Sequence, residues 1–366
     1  MPQVFTNNGK FCSQQSATKS INTSGRLVTP GFVDCHTHLV WAGSRANEYI
    51  RRCAGEDYLT IAKSGGGILS TMRATREASV EQLAQGIITR AQTMLECGTT
   101  HIEIKASYGL SAEGCKKELD AIQLARPNIK QRIAVTFMGA HAVPPELSRE
   151  AYLIQLEKEL IPMAAEHPAD VKFCDVFCEE TAFTLEESRR VLEAGFNHGL
   201  TPKIHSDEFN ALGGTEMACE LGAASADHLL VSGPNQFEAL ANSKTVAVTM
   251  PSTAFFLNKP YANARAMIDA GCIVALGTDF NPGTSVAPSM LFAIGLAVSK
   301  MRLTPSEALT AATENAAKAI GSNAGSFTDG EPADFCLWPC ESLDELVYQY
   351  LYVKPDEVYI AGERVV

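Results

Sequence analysis

The stretch "LVTPGFVDCHTHL", Leu27 to Leu39, runs from an apolar, β-branched segment directly into two histidines one residue apart. In extended backbone successive side chains alternate between faces, so His36 and His38 point one way and Thr37 the other. A chain with only eight histidines therefore places two of them on one face at the close of one strand.

Working outward, further short β-branched runs occur at His101 to Lys105, Ile133 to Met138, Val171 to Phe177, Pro202 to His205, Ala224 to Leu229, Val246 to Met250 and Ile273 to Leu276. Between them lie stretches of helical periodicity, among them Val80 to Cys97, Ser111 to Ala125, Glu146 to Glu166 and Leu185 to His198. Ser79, Ser111 and Thr184 stand at cap positions, and Gly98, Gly195, Gly222 and Gly271 stand where helices would stop. Strand–helix alternation reads as a parallel sheet. Eight units over roughly 250 residues predict an α/β fold, a (β/α)8 TIM-type barrel, rather than an open doubly wound sheet. No G-x-G-x-x-G follows the first strand, which weakens the dinucleotide-binding alternative.

The chain has 366 residues, 46% hydrophobic and 20% charged, enough to bury a large core. Its formal net charge of −12, with no Lys/Arg cluster, excludes a nucleic-acid surface as an expectation. Eleven cysteines lie scattered without a Cys-x-x-Cys pair, which fits free thiols in a reducing cytoplasm. The start carries no signal-peptide pattern, and Phe280 to Ser299 is too polar in its first half to span a bilayer, so no membrane partner is expected.

The catalytic face of such a barrel lies at the carboxyl ends of its strands. Those ends carry His36 and His38, Lys105-Ala106-Ser107-Tyr108, His141, Cys178-Glu179-Glu180, His205 to Glu208, Asp227-His228, Ser252, and Thr278-Asp279. Five of the eight histidines fall on this rim. Three imidazoles and one carboxylate, His36, His38, His205 and Asp279, suit one divalent metal with a position left for water. These ligands come from strands one, five and eight. Zinc and iron both accept such a set. No lysine stands at the end of strand four to bridge a second metal. Glu208 is placed to carry protons near a bound water, and His228 to donate to developing negative charge. Arg45, seven residues past the histidine pair, can clamp a substrate carboxylate in two parallel bonds; a rim salt bridge is its competing use. Tyr58 and Tyr108 are phenol donors or core edges, and Gly65-Gly66-Gly67 reads as a loop over the pocket.

At these residues the chain resembles the amidohydrolase superfamily, and within it the imidazolonepropionase family. The matching stretches are "PGFVDCHTHLVWAGSRANEY", "AGEDYLTIAKSGGGILSTMRATREAS", "EIKASYGL", "FMGAHAVPPE", "IHSDEF", "SADHL", "LGTDFNPGT" and the tail "PADFCLWPC". The resemblance implies hydrolysis of the ring amide C–N bond of 4-imidazolone-5-propanoate to N-formimino-L-glutamate, with zinc or iron. It implies metal ligation by His36, His38, His205 and Asp279, and catalysis by Glu208, His228 and Asp279. The substrate contacts it implies are Arg45, Tyr108, His141, Glu208, Asn281, Gly283 and Thr284, to which Tyr58 is added as a phenol donor. A homodimer is the expected assembly. A cyclic deaminase of the cytosine or guanine type and a non-catalytic barrel scaffold are the competing readings.

Residues 1–26 are polar, poorly patterned and unlike the strands with which members of that family begin, and are expected to be either part of the β appendage or a truncated remnant of it. Residues 27–325 are expected to form the barrel, with Pro305 to Ile320 as one amphipathic helix. Residues 326–366, with Ala333 to Trp338 and Val358 to Val366 as strands, are expected to form a small β appendage left incomplete and with exposed edges.

Overall fold

The computed structural model describes residues 3–56, 60–61 and 64–366. Eight parallel strands form one sheet: β5 (Phe32–Asp34), β6 (Thr99–Ala106), β7 (Arg132–Ala140), β8 (Val171–Phe177), β9 (Thr201–Ser206), β10 (Ser225–His228), β11 (Val246–Thr249) and β12 (Val274–Leu276). Each strand pairs with the next in chain order. The sheet closes on itself just past the last formal pairs. There the His38 N–H donates to the Phe280 carbonyl and the Asp279 N–H to the His36 carbonyl, both at 3.0 Å. This is the (β/α)8 TIM-type barrel that the strand–helix alternation predicts.

The connecting helices begin where the chain supplies caps. Ser79 and Thr184 form reciprocal capping boxes with Gln82 and Glu187, and the Ser111 hydroxyl accepts from the Gly114 N–H. The main apolar core lies between these helices and the outer face of the strands, with Phe32, Ile102, Ile104, Phe137, Leu156 and Ile204 fully or nearly fully buried. A second cluster plugs the amino end of the barrel, where helix Glu314–Ala319 packs across β5, β11 and β12 on Val33, Val246, Val248 and Ala275. Pro305 to Ile320 is thus two helices, Pro305–Ala311 and Glu314–Ala319, because the chain bends at Thr313 to lay the second across the barrel floor. Ser252 lies in helix Pro251–Leu257, since the strand before it stops at Thr249.

The amino-terminal reading needs correction. Residues 1–26 contain β1 (Gln3–Asn7), β2 (Lys10–Phe11) and β3 (Lys19–Asn22), ordered β2-β1-β3. β4 (Leu27–Pro30) pairs antiparallel with β13 (Phe335–Trp338) rather than with a barrel strand, and β14 (Glu357–Ile360) and β15 (Glu363–Arg364) complete that sheet. Val4, Phe11 and Ile21 from one sheet share a cluster with Phe335, Leu337 and Tyr359 from the other. The appendage is therefore two facing layers, not an incomplete one. Its amino-terminal strands look polar because each turns only one or two apolar side chains inward, and the threonine Thr6 occupies a buried position on β1.

Phe335 carries this interface, stacked on Tyr359 at 4.5 Å and tilted against Phe11 at 6.0 Å. Phe335→Ala is expected to cost about 3–5 kcal/mol, read as a lowered urea midpoint.

Candidate metal centre and substrate pocket

Each strand end delivers its inward-facing side chains to one point. The His36 and His205 rings lie 4.5 Å apart, His38 and His141 stack at 5.2 Å, and His205 and His228 approach to 5.1 Å. All five rim histidines expected from the sequence are brought together and buried. The ligand atoms of His36, His38 and His205 lie within 4.8 Å of one another. Asp279 Oδ1 stands 3.6 Å from His36 Nε2 and 3.5 Å from His38 Nε2.

The outer ring nitrogens of His36, His38 and His205 are all taken. His36 Nδ1 meets Asp227 Oδ2 at 2.6 Å, His205 Nδ1 meets Asp175 Oδ1 at 3.1 Å, and His38 Nδ1 meets the Ser107 hydroxyl at 2.8 Å. A carboxylate accepts only, so Nδ1 of His36 and of His205 carries the proton and Nε2 presents a lone pair. His205 Nε2 faces His38 Nε2 at 3.4 Å, and His36 Nε2 is buried without a hydrogen-bond partner among the described residues. Electron pairs converging in a dry site are unfavourable unless a cation stands among them. Burial holds His36 and His38 well below the usual imidazole pKa, which keeps them in the neutral, ligating form. The Asp279 Oδ2 atom accepts from Thr253 and Thr284, at 2.7 and 3.3 Å, so the carboxylate turns Oδ1 inward. The group fits a single divalent metal.

A cavity of about 500 Å³ opens over this point, and its lining includes His38, Arg45, Tyr108, His141, Glu208, His228, Asp279, Asn281 and Thr284. Arg45 is nearly buried, and its Nε donates to Glu48 at 2.8 Å; the same carboxylate accepts the Gly67 N–H, whose neighbour Gly66 lines the cavity. Gly283 lies behind Arg45: a Cβ there would stand 1.9 Å from the guanidinium, so only glycine leaves room for it. Asn281 lines the cavity but uses its side chain to tie the loop, donating to the Asp279 carbonyl and the Thr284 hydroxyl and accepting the Gly283 and Thr284 N–H groups. Burial, then the charge of Asp279, pushes the Glu208 carboxyl well above its usual range, and His228 Nε2 lies 3.8 Å from it. Tyr58 lies outside the described residues.

A family model described as the Amidohydrolase family matches residues 184–365. The imidazolonepropionase of Shouchella clausii is 45% identical over 353 residues, covering 95% of this chain and 78% of its own. That of Symbiobacterium thermophilum is 48% identical over 325 residues, covering 87% and 76%. The chain belongs to the imidazolonepropionase family.

Among solved structures, this imidazolonepropionase-family barrel superposes on a 5-methylcytosine deaminase from Klebsiella pneumoniae with a TM-score of 0.76 at 18% identity, covering 99% of this chain and 94% of that one. A guanine deaminase from C. acetobutylicum gives 0.74 at 16% identity, covering 99% and 94%. At such identity the likeness is one of fold.

Of the residues that hold the imidazoles, the sequence places Ser107 and Asp227 on the rim without a role and does not single out Asp175. Two further carboxylates support site loops, Glu179, on the rim without a role, and Glu118, not singled out at all. Glu179 accepts the N–H groups of Phe209 and Asn210, which come directly after Glu208. Glu118, on helix Ala112–Ala125, accepts the N–H groups of Ser107, Tyr108 and Gly109 at 2.7–3.2 Å. The signal for Asp175 was its place two residues before Phe177, on the inward face of its strand; Glu118 left none beyond a helix periodicity.

Burial raises the Glu118 carboxyl to about 7 against a usual 4.5. The folded state thus holds this proton more tightly than the unfolded chain. Stability from this group is fully present below about pH 4.5 and is lost as pH climbs to 7, by about 3 kcal/mol in all. Glu118→Gln is expected to flatten that part of the stability–pH curve and, by setting an amide N–H₂ against backbone donors, to cost about 1–3 kcal/mol at pH 5, as read by urea unfolding at each pH.

Proposed function

We propose that the chain hydrolyses 4-imidazolone-5-propanoate at the amide C–N bond of its ring, giving N-formimino-L-glutamate. The observation that carries this reading is the set of inward-facing donors, Nε2 of three histidines and Oδ1 of Asp279, at the floor of a cavity walled by Arg45. His36, His38, His205 and Asp279 hold one divalent metal, zinc or iron. Bound there, the metal supplies a water acidified to a pKa of about 7 and polarises the ring carbonyl.

The rest is done by the chain's own groups. Arg45 binds the propanoate carboxylate, and Tyr108 and His141 flank the ring. Asn281, Gly283 and Thr284 shape the loop on which the acid tail rests. Glu208, whose carboxyl burial makes a ready proton carrier, works with Asp279 to move a proton to the departing ring nitrogen. His228 donates to the oxygen that gains negative charge. The buried guanidinium seated on Gly283 favours an acidic substrate over a neutral nucleobase. The cytoplasmic setting, supported by eleven unpaired thiols, belongs to the same proposal. So does the homodimer, supported by the exposed Tyr348, Leu351 and Tyr352. The net charge of −12 disfavours a nucleic-acid partner, and no described helix is long and apolar enough to cross a bilayer.

The test is to add 4-imidazolone-5-propanoate to metal-quantified protein and follow the loss of its ultraviolet absorbance. No turnover by protein holding one equivalent of zinc or iron, or ammonia release from a nucleobase in its place, overturns the reading. His205→Ala is expected to abolish metal retention. Glu208→Gln is expected to keep the metal and lower kcat by about 10²–10⁴-fold.

A further inference from the structure

The interior layer next to the metal site is ionic. TIM-type barrels fill their centre with branched apolar side chains. Here Glu103 and Lys105 on β6, Asp175 on β8, Lys203 on β9 and Asp227 on β10 all point inward with fully buried side chains. Burying unpaired charge is costly, so an arrangement of two ammonium groups against three carboxylates needs a reason beyond packing.

Its geometry supplies one. Lys105 Nζ lies 2.6 Å from Asp175 Oδ2, 3.1 Å from Glu103 Oε2 and 3.8 Å from Asp227 Oδ2. Lys203 Nζ lies 2.9 Å from Glu103 Oε1 and 4.0 Å from Asp227 Oδ2, and donates to the Cys35 carbonyl at 3.1 Å. Asp175 and Asp227 are the two carboxylates that accept from His205 and His36. Asp175, His205 and Asp227 also offer ligand atoms within 4.8 Å of one another, but the Lys105 ammonium already stands between the two carboxylates.

We propose that Lys105 and Lys203 are positioning residues for the metal: they anchor Asp175 and Asp227 as oriented acceptors, which turn the Nε2 lone pairs of His205 and His36 toward one cation. The inference rests on the metal reading of the proposed function and extends it inward by one layer. Acceptors behind metal-bound histidines commonly affect metal affinity by 10–100-fold. Lys105 acts on that layer from behind, and touches neither metal nor substrate.

The experiment is zinc binding to the apoprotein, by competition with a chromogenic chelator, with circular dichroism and thermal melting of each apo form. Lys105→Met is expected to bind zinc at least tenfold more weakly. Should it not fold, the neutral double variant Lys105→Met/Asp175→Asn removes the stranded charge and keeps an amide oxygen facing His205; the same tenfold loss is expected. Phe335→Ala, destabilised in the appendage, is expected to bind zinc as wild type does. Folded lysine variants that bind within twofold of wild type overturn the inference alone, as does an equal loss in Phe335→Ala. A wild-type protein that takes up no zinc or iron overturns the metal reading and this inference with it.

Discussion

The barrel seam between the ends of β5 and β12 is the constraint on which the rest depends. A parallel sheet of eight strands has two raw edges unless its last strand meets its first. Here the two meet at the residues that bear the site: the His36 carbonyl accepts from Asp279, and the His38 N–H donates to Phe280. Asp34 reinforces the join, accepting the N–H of Thr278 at 3.1 Å and its hydroxyl at 2.5 Å. Closing the fold and assembling His36, His38 and Asp279 are one event. A slip of register by one residue would turn these side chains to the opposite face.

Around that seam the molecule holds its polar groups by layers. Inner imidazoles rest on Asp175, Asp227 and Ser107; these rest in turn on Lys105, Lys203 and, through the backbone, Glu118. The chain leaves β9, β10 and β12 in left-handed backbone at Asp207, His228 and Asp279, a conformation that residues other than glycine adopt at some cost. The compensation lies in the apolar shell between strands and helices, and in the plug beneath the barrel. Asp207, His228, Asp279 and the buried ionic layer thus lie toward one end of the barrel, with the apolar plug at the other.

Much of this was legible in the sequence because the barrel maps function onto strand ends. His36, His38, His205, His228 and Asp279 stand out once the polar residues capping each apolar run are compared, and the structure gathers all five. The ionic layer was less legible, since Glu103, Lys105, Asp175 and Lys203 sit inside runs that read simply as strands. A period of two would have exposed them: Glu103, Lys105 and Ser107 share a face, as do Lys203 and His205. The amino-terminal sheet escaped for a different reason. Its strands are as short as two residues, and their stability comes from a partner sheet more than 300 residues away, between Phe11 and Phe335, which no local pattern reports. Glu118 escaped because its partners are backbone N–H groups, which carry no side-chain signature.

Substrate choice lies on a different part of the molecule from the seam. The barrel belongs to a fold shared with deaminases at 16–18% identity, and fold alone carries no information about which ring enters. On the proposed reading, what favours an acidic substrate is the wall: Arg45 in the loop after β5, its partner Glu48 reaching the Gly67 N–H, and Gly283 in the loop after β12 giving the guanidinium its seat. Those three segments are distant in sequence and have no strand register to align them. They are brought together only because the seam sets the loops after β5 and β12 side by side, so the closure that assembles the histidines and Asp279 also builds the wall that selects the ligand.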